Sequence, residues 1–157
     1  MKHTGGSMSP FTAWMHLNGM ATLDLRCRAM ADAALEVAQA LEGDARVTKV
    51  IYPGLASHPQ HQLAARQMRG AGGLISLNLA TDGEGTRRFL EAVRLFTLAE
   101  SLGGVESLIS QPAKMTHASI PEERREALGV TGNLVRLSVG VEDAIDLWSD
   151  IQQALSA

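Results

Sequence analysis

Apolar positions alternate with polar ones in two rhythms along this chain. Ser9-Pro10 sets a hydroxyl cap before a proline at the first helical position, which predicts a short helix from Pro10 to about Leu17, ending at Asn18-Gly19. Leu23, Cys27, Met30, Ala34, Val37, Ala38 and Leu41 then recur at helical spacing, one buried stripe of a longer helix that Gly43 ends. Val47 to Tyr52 reads as a strand stopped by Pro53-Gly54, and His58 to Met68 as a helix with Pro59 in its first turn. Gly70 to Gly73 is a break, and Leu74 to Leu79 alternates as a strand. Asp82 to Gly85 is a turn before a helix over Thr86 to Val93. Leu95 to Ala99 and Val105 to Ile109 read as short strands on either side of Gly103-Gly104. Pro121 to Leu128 is a short helix led by Glu122-Glu123, and Leu134 to Val139 a strand. Asp143 to Leu155 is a closing helix with Ala144, Leu147, Trp148, Ile151, Ala154 and Leu155 on one face.

Helices come first, then strands interleaved with helices. This order predicts an α/β (α+β) domain, a small sheet covered by helices. Several connections are too short for parallel crossovers, so the sheet is expected to be largely antiparallel. The 157 residues suit a single domain, with residues 1–8 a flexible segment and residues 9–157 the folded part. Aromatics are only 4%, so the core must be built from Leu, Val, Ile, Met and Ala. A net charge of -3 gives no electrostatic footprint for nucleic acid or an anionic membrane. No apolar run approaches the ~20 residues of a membrane span, and one cysteine, Cys27, excludes an internal disulfide framework. A cytoplasmic location is the expectation.

Most candidate sites have a plain alternative. His58 and His61 could share a metal, but nothing nearby supplies a third ligand. Gly70 to Gly73 could cradle a phosphate, yet it lacks the lysine and following hydroxyl of a P-loop and leads into a strand. Five serines and His117 form no ordered triad. Lys114 and His117 lie in a polar, proline-led loop. Arg136 is more informative. In Leu134-Val135-Arg136-Leu137-Ser138-Val139, alternation sends Val135, Leu137 and Val139 to the core and Arg136 and Ser138 to the other face with Leu134. A mid-strand guanidinium beside a small hydroxyl is a fork suited to a carboxylate. On composition alone, a solvated arginine or an internal ion pair is the commoner outcome.

Seven ordered blocks resemble one family. They are SPFTAW (Ser9 to Trp14), TLDLR (Thr22 to Arg26), YPGLASHPQH (Tyr52 to His61), AARQMRGAGG (Ala64 to Gly73), LAESLGGVESLI (Leu98 to Ile109), PAKMTHAS (Pro112 to Ser119) and LVRLSVGVED (Leu134 to Asp143). Together they resemble the C-terminal domain of the Cys/Met-metabolism enzymes of transsulfuration, the pyridoxal-phosphate enzymes that include cystathionine γ-lyase, cystathionine γ-synthase, methionine γ-lyase and the homoserine-ester sulfhydrylases. The resemblance implies the C-terminal fold of the fold-type I transferases. It implies an amino-acid substrate of the cystathionine, homoserine-ester or methionine class, and β/γ-elimination or γ-replacement at a carbon–sulfur or carbon–oxygen bond. In the family the cofactor domain lies N-terminal to the matched region, and its Schiff-base lysine has no counterpart among Lys2, Lys49 and Lys114. The expectation is therefore a fragment or split half that does not hold the cofactor and is inactive alone, within an enzyme that is a homo-oligomer when intact. The alternative is a non-catalytic remnant or partner module that folds without activity. By resemblance Arg136 grips the substrate α-carboxylate and Ser101 lies beside it. Glu100 is a specificity position near the distal end of the substrate, where an acid resembles the cystathionine type, and Thr116 flanks the substrate.

Overall fold

The computed structural model describes residues 6–157; the start of the expected 1–8 segment lies outside them. Among the described residues six helices and five strands follow in the order α1 (Pro10–Ala21), α2 (Leu23–Glu42), β1 (Val47–Ile51), α3 (His61–Gln67), β2 (Leu74–Leu79), α4 (Gly83–Ala92), β3 (Thr97–Leu98), β4 (Leu108–Ser110), α5 (Glu122–Ala127), β5 (Leu134–Ser138) and α6 (Ala144–Ala154). The strands form one sheet in the order β1-β2-β5-β4-β3. It is largely antiparallel, as the short connections require; β3 with β4 is its one parallel pairing.

The alternation of the strands decides which face is covered. Ile75, Leu77 and Leu79 of β2 and Val135 and Leu137 of β5 are buried in one cluster with Val37 and Leu41 of α2, Phe89 of α4, and Leu147 and Ile151 of α6. Burying each large aliphatic side chain of this kind stabilises the fold by about 1.5–3 kcal/mol. Helices α2, α4 and α6 therefore lie on this face. The opposite face carries Ser76 and Asn78 of β2, Ser110 of β4, and Arg136 and Ser138 of β5.

Several boundaries differ from the sequence expectation. Gly19 does not end the first helix; nothing stands within 4 Å of where its Cβ would be, and α1 runs on to Ala21. Ser9 does cap it, accepting the Thr12 amide at 3.1 Å. Of the predicted α2 stripe, Met30, Ala34, Val37, Ala38 and Leu41 are buried, but Leu23 and Cys27 are exposed because no element opposes the first turns. α3 starts at His61 rather than His58. α4 starts at Gly83, where the Asp82 carboxylate accepts the Glu84 and Gly85 amides, so the predicted turn is a helix cap. Gly85 packs so closely on Thr81 that a Cβ there would collide with it.

Candidate functional site

Arg136 stands at the centre of the sheet face opposite α2, α4 and α6. β5 is the middle strand of the sheet, and Arg136 is the middle residue of β5. Register places Ser76 of β2 directly on one side and Ser110 of β4 directly on the other. Cβ atoms so paired lie about 5 Å apart. Two short hydroxyls flanking a long side chain leave the guanidinium free to rise off the sheet. Arg136 is half-buried, with Val135 and Leu137 packed beneath its strand.

The guanidinium has no ion-pair partner among the described residues. Among the described residues the ion pairs join Arg28 to Asp24, Arg46 to Asp44, and Arg87 to Glu84 and Glu91; none reaches Arg136. None of its nitrogens is sealed from solvent without a partner, so the charge opens outward. An arginine in this state presents five donors in a fixed fork, which matches the two oxygens of a carboxylate. The strand-face reading of Arg136 thus agrees with the structure, and the internal ion pair does not occur among the described residues.

Loop 99–107 carries Glu100 and Ser101 and is tied to β5 through Gly103. At its start the Ala99 amide donates to the Ile109 carbonyl at 3.0 Å, so Ala99 stands level with Ser110, the neighbour of Arg136. The chain then doubles back over β4. Gly103, at φ 76°, donates its amide to the Ser138 hydroxyl at 2.8 Å. The Ser138 side chain lies on the Arg136 face, so the loop crosses that face. Farther along, the Val141 amide donates to the Val105 carbonyl at 3.0 Å. The Glu142 carboxylate accepts the Ser107 amide at 2.7 Å and the Ser107 hydroxyl at 2.8 Å. Glu100 and Ser101 are both exposed on this loop.

Thr116 lies beyond β4. It is exposed in the turns after β4, and its hydroxyl bonds the His117 ring at 2.8 Å. Those turns are pinned at their root, where Gln111 donates to the Gly132 carbonyl at 2.7 Å. His58 and His61 do not converge on a common point: the His61 ring bonds the Pro53 carbonyl at 2.9 Å, and the His58 ring accepts the Gln60 amide at 3.2 Å. Sequence reasoning missed Ser76 and Ser110 as the flanks of Arg136. Ser76 sits at a polar beat of an apolar strand, but only the register shows what it neighbours. It missed Asp150 as well. This buried carboxylate of α6 accepts the amides of Arg94 at 2.8 Å, Leu95 at 2.8 Å and Phe96 at 3.3 Å, and so fixes the segment entering β3.

The described residues form several surface clefts. One runs between α2, α3 and the 70–71 turn, with Ala31, Tyr52, His61 and Arg69 in its wall. Arg136 forms part of the wall made by the sheet, between Ser76 and Ser110.

Known proteins give this wall a context. The family described as Cys/Met metabolism PLP-dependent enzyme matches residues 1–156. The cystathionine beta-lyase of Coxiella burnetii is 51% identical over 151 residues, which are 96% of this chain and 39% of that protein. The cystathionine gamma-lyase of Bacillus subtilis is 51% identical over 152 residues, 97% of this chain and 40% of that protein. A crystal structure of cystathionine gamma synthase from Xanthomonas oryzae pv. oryzae in complex with cystathionine superposes with a TM-score of 0.89 at 49% identity, covering 96% of this chain and 39% of that one. The chain therefore spans about 39% of the length of such relatives. On the match over residues 1–156, the chain belongs to the Cys/Met metabolism PLP-dependent enzyme family.

Proposed function

We propose that this chain is the C-terminal, substrate-carboxylate-holding domain of a pyridoxal-phosphate enzyme of sulfur amino acid metabolism. The reaction is β/γ-elimination or γ-replacement at a carbon–sulfur or carbon–oxygen bond, on a substrate of the cystathionine or homoserine-ester class. The observation that carries this reading is the Arg136 fork at the centre of the sheet face opposite the helices, half-buried and without an ion-pair partner among the described residues. The names of the relatives supply the substrate class.

Pyridoxal phosphate, when bound, supplies an electron sink for carbanion chemistry. The described residues do not fit as its holder. An aldehyde cofactor needs a lysine amine in a sheltered pocket. Lys49 is exposed on the edge strand β1, two strands from β5, and Lys114 is exposed in the turns after β4. Neither lies beside Arg136, and Lys2 is outside the described residues. The cofactor is assigned to a part of the enzyme corresponding to what this chain does not span in its relatives, within a cytoplasmic homo-oligomer.

What this chain contributes is orientation. Arg136 fixes one end of the amino acid, Ser101 adds a hydroxyl beside it, and Glu100 faces the far end of the substrate. Thr116 contributes from the adjoining turns. Holding a reactant in one geometry is worth several kcal/mol of barrier. The test is a fusion of this chain to the cofactor-bearing part of the Bacillus subtilis relative, with ketoacid release from cystathionine as the signal. The fusion is expected to turn over and the isolated chain not to. Arg136→Ala in the fusion removes a bidentate, charge-assisted pair and is expected to lower kcat/KM by roughly 100-fold or more. A variant with unchanged kcat/KM would refute the reading.

A further inference from the structure

Loop 100–104 joins Ala99, held on β4, to Val105, held by Val141. Among the described residues one hydrogen bond ties the five residues between these anchors to the sheet: the Gly103 amide to the Ser138 hydroxyl, 2.8 Å. Ser138 is 4% exposed, two positions along β5 from Arg136 and on the same face. A buried hydroxyl costs free energy unless it is bonded. This one is engaged by the loop rather than left for a ligand.

The rest of the crossing is shaped to meet that hydroxyl. Gly103 takes φ 76°, a conformation that L side chains rarely adopt, and so aims its amide down at β5. Gly140 lies so close beneath Val105 and Glu142 that a Cβ would collide with them. Its amide donates to the Ser107 hydroxyl at 2.9 Å, which in turn is held by Glu142. The loop is thus fastened at its start to β4, and at Gly103 and beyond to the strand that carries Arg136 and to its immediate extension.

Resting on the carboxylate reading above, we propose that Ser138 is a positioning residue: its hydroxyl holds the loop bearing Glu100 and Ser101 over Arg136, so that one rigid unit meets the substrate carboxylate from two sides. Without the tie, Arg136 keeps its place on β5 while Ser101 loses its own. Ser138 touches no substrate and acts through Gly103.

The experiment is amide and guanidinium NMR on the full isotope-labelled chain as wild type, Ser138→Ala, Ser138→Thr and Arg136→Ala, each titrated with L-cystathionine. In Ser138→Ala the Gly103 amide is expected to exchange with solvent roughly fivefold to tenfold faster. The Arg136 guanidinium signal should still shift with ligand, while the Ser101 amide no longer shifts with it. Ser138→Thr keeps a hydroxyl and should restore both the Gly103 protection and the Ser101 response. Unchanged Gly103 exchange in Ser138→Ala, or an unchanged Ser101 response, overturns the inference alone. An Arg136 signal in the wild type that ignores cystathionine overturns the carboxylate reading and the inference with it.

Discussion

Single side chains in this fold do different work according to whether their charge is already satisfied. Asp150 is buried, and its carboxylate accepts the three amides of residues 94–96 together with a side-chain bond from Gln153 at 3.1 Å. Asp150→Asn exchanges one accepting oxygen for an NH2 that faces donors. Hydrogen bonds to charged groups are worth about 1.5–3 kcal/mol, so a loss of that order is expected in urea unfolding, with the m-value unchanged. Asp44 shows the same logic at the surface. Arg46 grips it with Nε at 2.9 Å and a terminal nitrogen at 2.6 Å, and this pair holds the carboxyl down from 3.8 to about 2. A depressed carboxylate contributes stability that is complete above 3.8 and is lost as the pH falls towards about 2. Acid titrations of stability should show this slope in the wild type and lose it in Asp44→Asn. Tyr52 gives the alkaline counterpart. Burial pushes its phenol up from 10.0 to about 12, and the hydroxyl donates to the Gly72 carbonyl at 2.8 Å. Between those values the unfolded chain ionises first, so stability should fall as the pH rises, and the fall should vanish in Tyr52→Phe. Arg136 differs from all three in having no partner among the described residues, which is why it reads as a binding group.

At the scale of elements, legibility follows how local each determinant is. β2 is found within its predicted bounds, and β5 to within a residue, because alternation is a property of the strand itself and the core face enforces it. The same alternation placed Arg136 on the outer face. The closing helix was legible too: Leu147, Ile151 and Ala154 are buried, and Ala144, Trp148 and Leu155 pack against the same cluster. The α2 stripe was half legible, since periodicity marks a face without showing whether anything covers it; Leu23 and Cys27 have no cover. β3 shrinks to Thr97–Leu98 because the amides of residues 94–96 bond Asp150 instead of a strand. That carboxylate is more than fifty residues away, beyond any local pattern. The flanks of Arg136 were hidden for the same reason, as were the Ser138–Gly103 and Glu142–Ser107 ties. Gly140 tests the element-level account. A Cβ there meets the Val105 carbonyl and the Glu142 carboxylate together. Gly140→Ala should therefore destabilise the chain by about 1–3 kcal/mol in urea unfolding, and amide exchange should rise at Ser107 and its neighbours before it rises in α2.

The whole molecule is half covered. The helices seal one face of the sheet, while α1 has no buried residue at all. Phe11, Trp14, Met15, Leu17 and Met20 are each more than half exposed along α1, and Leu25 of the next helix is 71% exposed. The rings of Phe11 and Trp14 meet at 5.9 Å, which shelters only part of each. A helix apolar on every side belongs in an interior, and a contiguous apolar surface in water drives association. An exposed apolar helix of this kind fits the proposal that this chain works as one domain of a larger enzyme. Purified alone, it should therefore self-associate as its concentration rises, read as a growing mass in light scattering. Trp14→Glu combined with Leu17→Lys should lower that mass. Neither residue is buried, so the thermal midpoint should hold; the core of Val37, Leu77 and Leu137 lies elsewhere. A midpoint that drops with the double variant would place α1 inside the fold's own cooperative unit. A mass that stays monomeric at every concentration would show that α1 tolerates water, against the reading of this face as one wall of a larger enzyme.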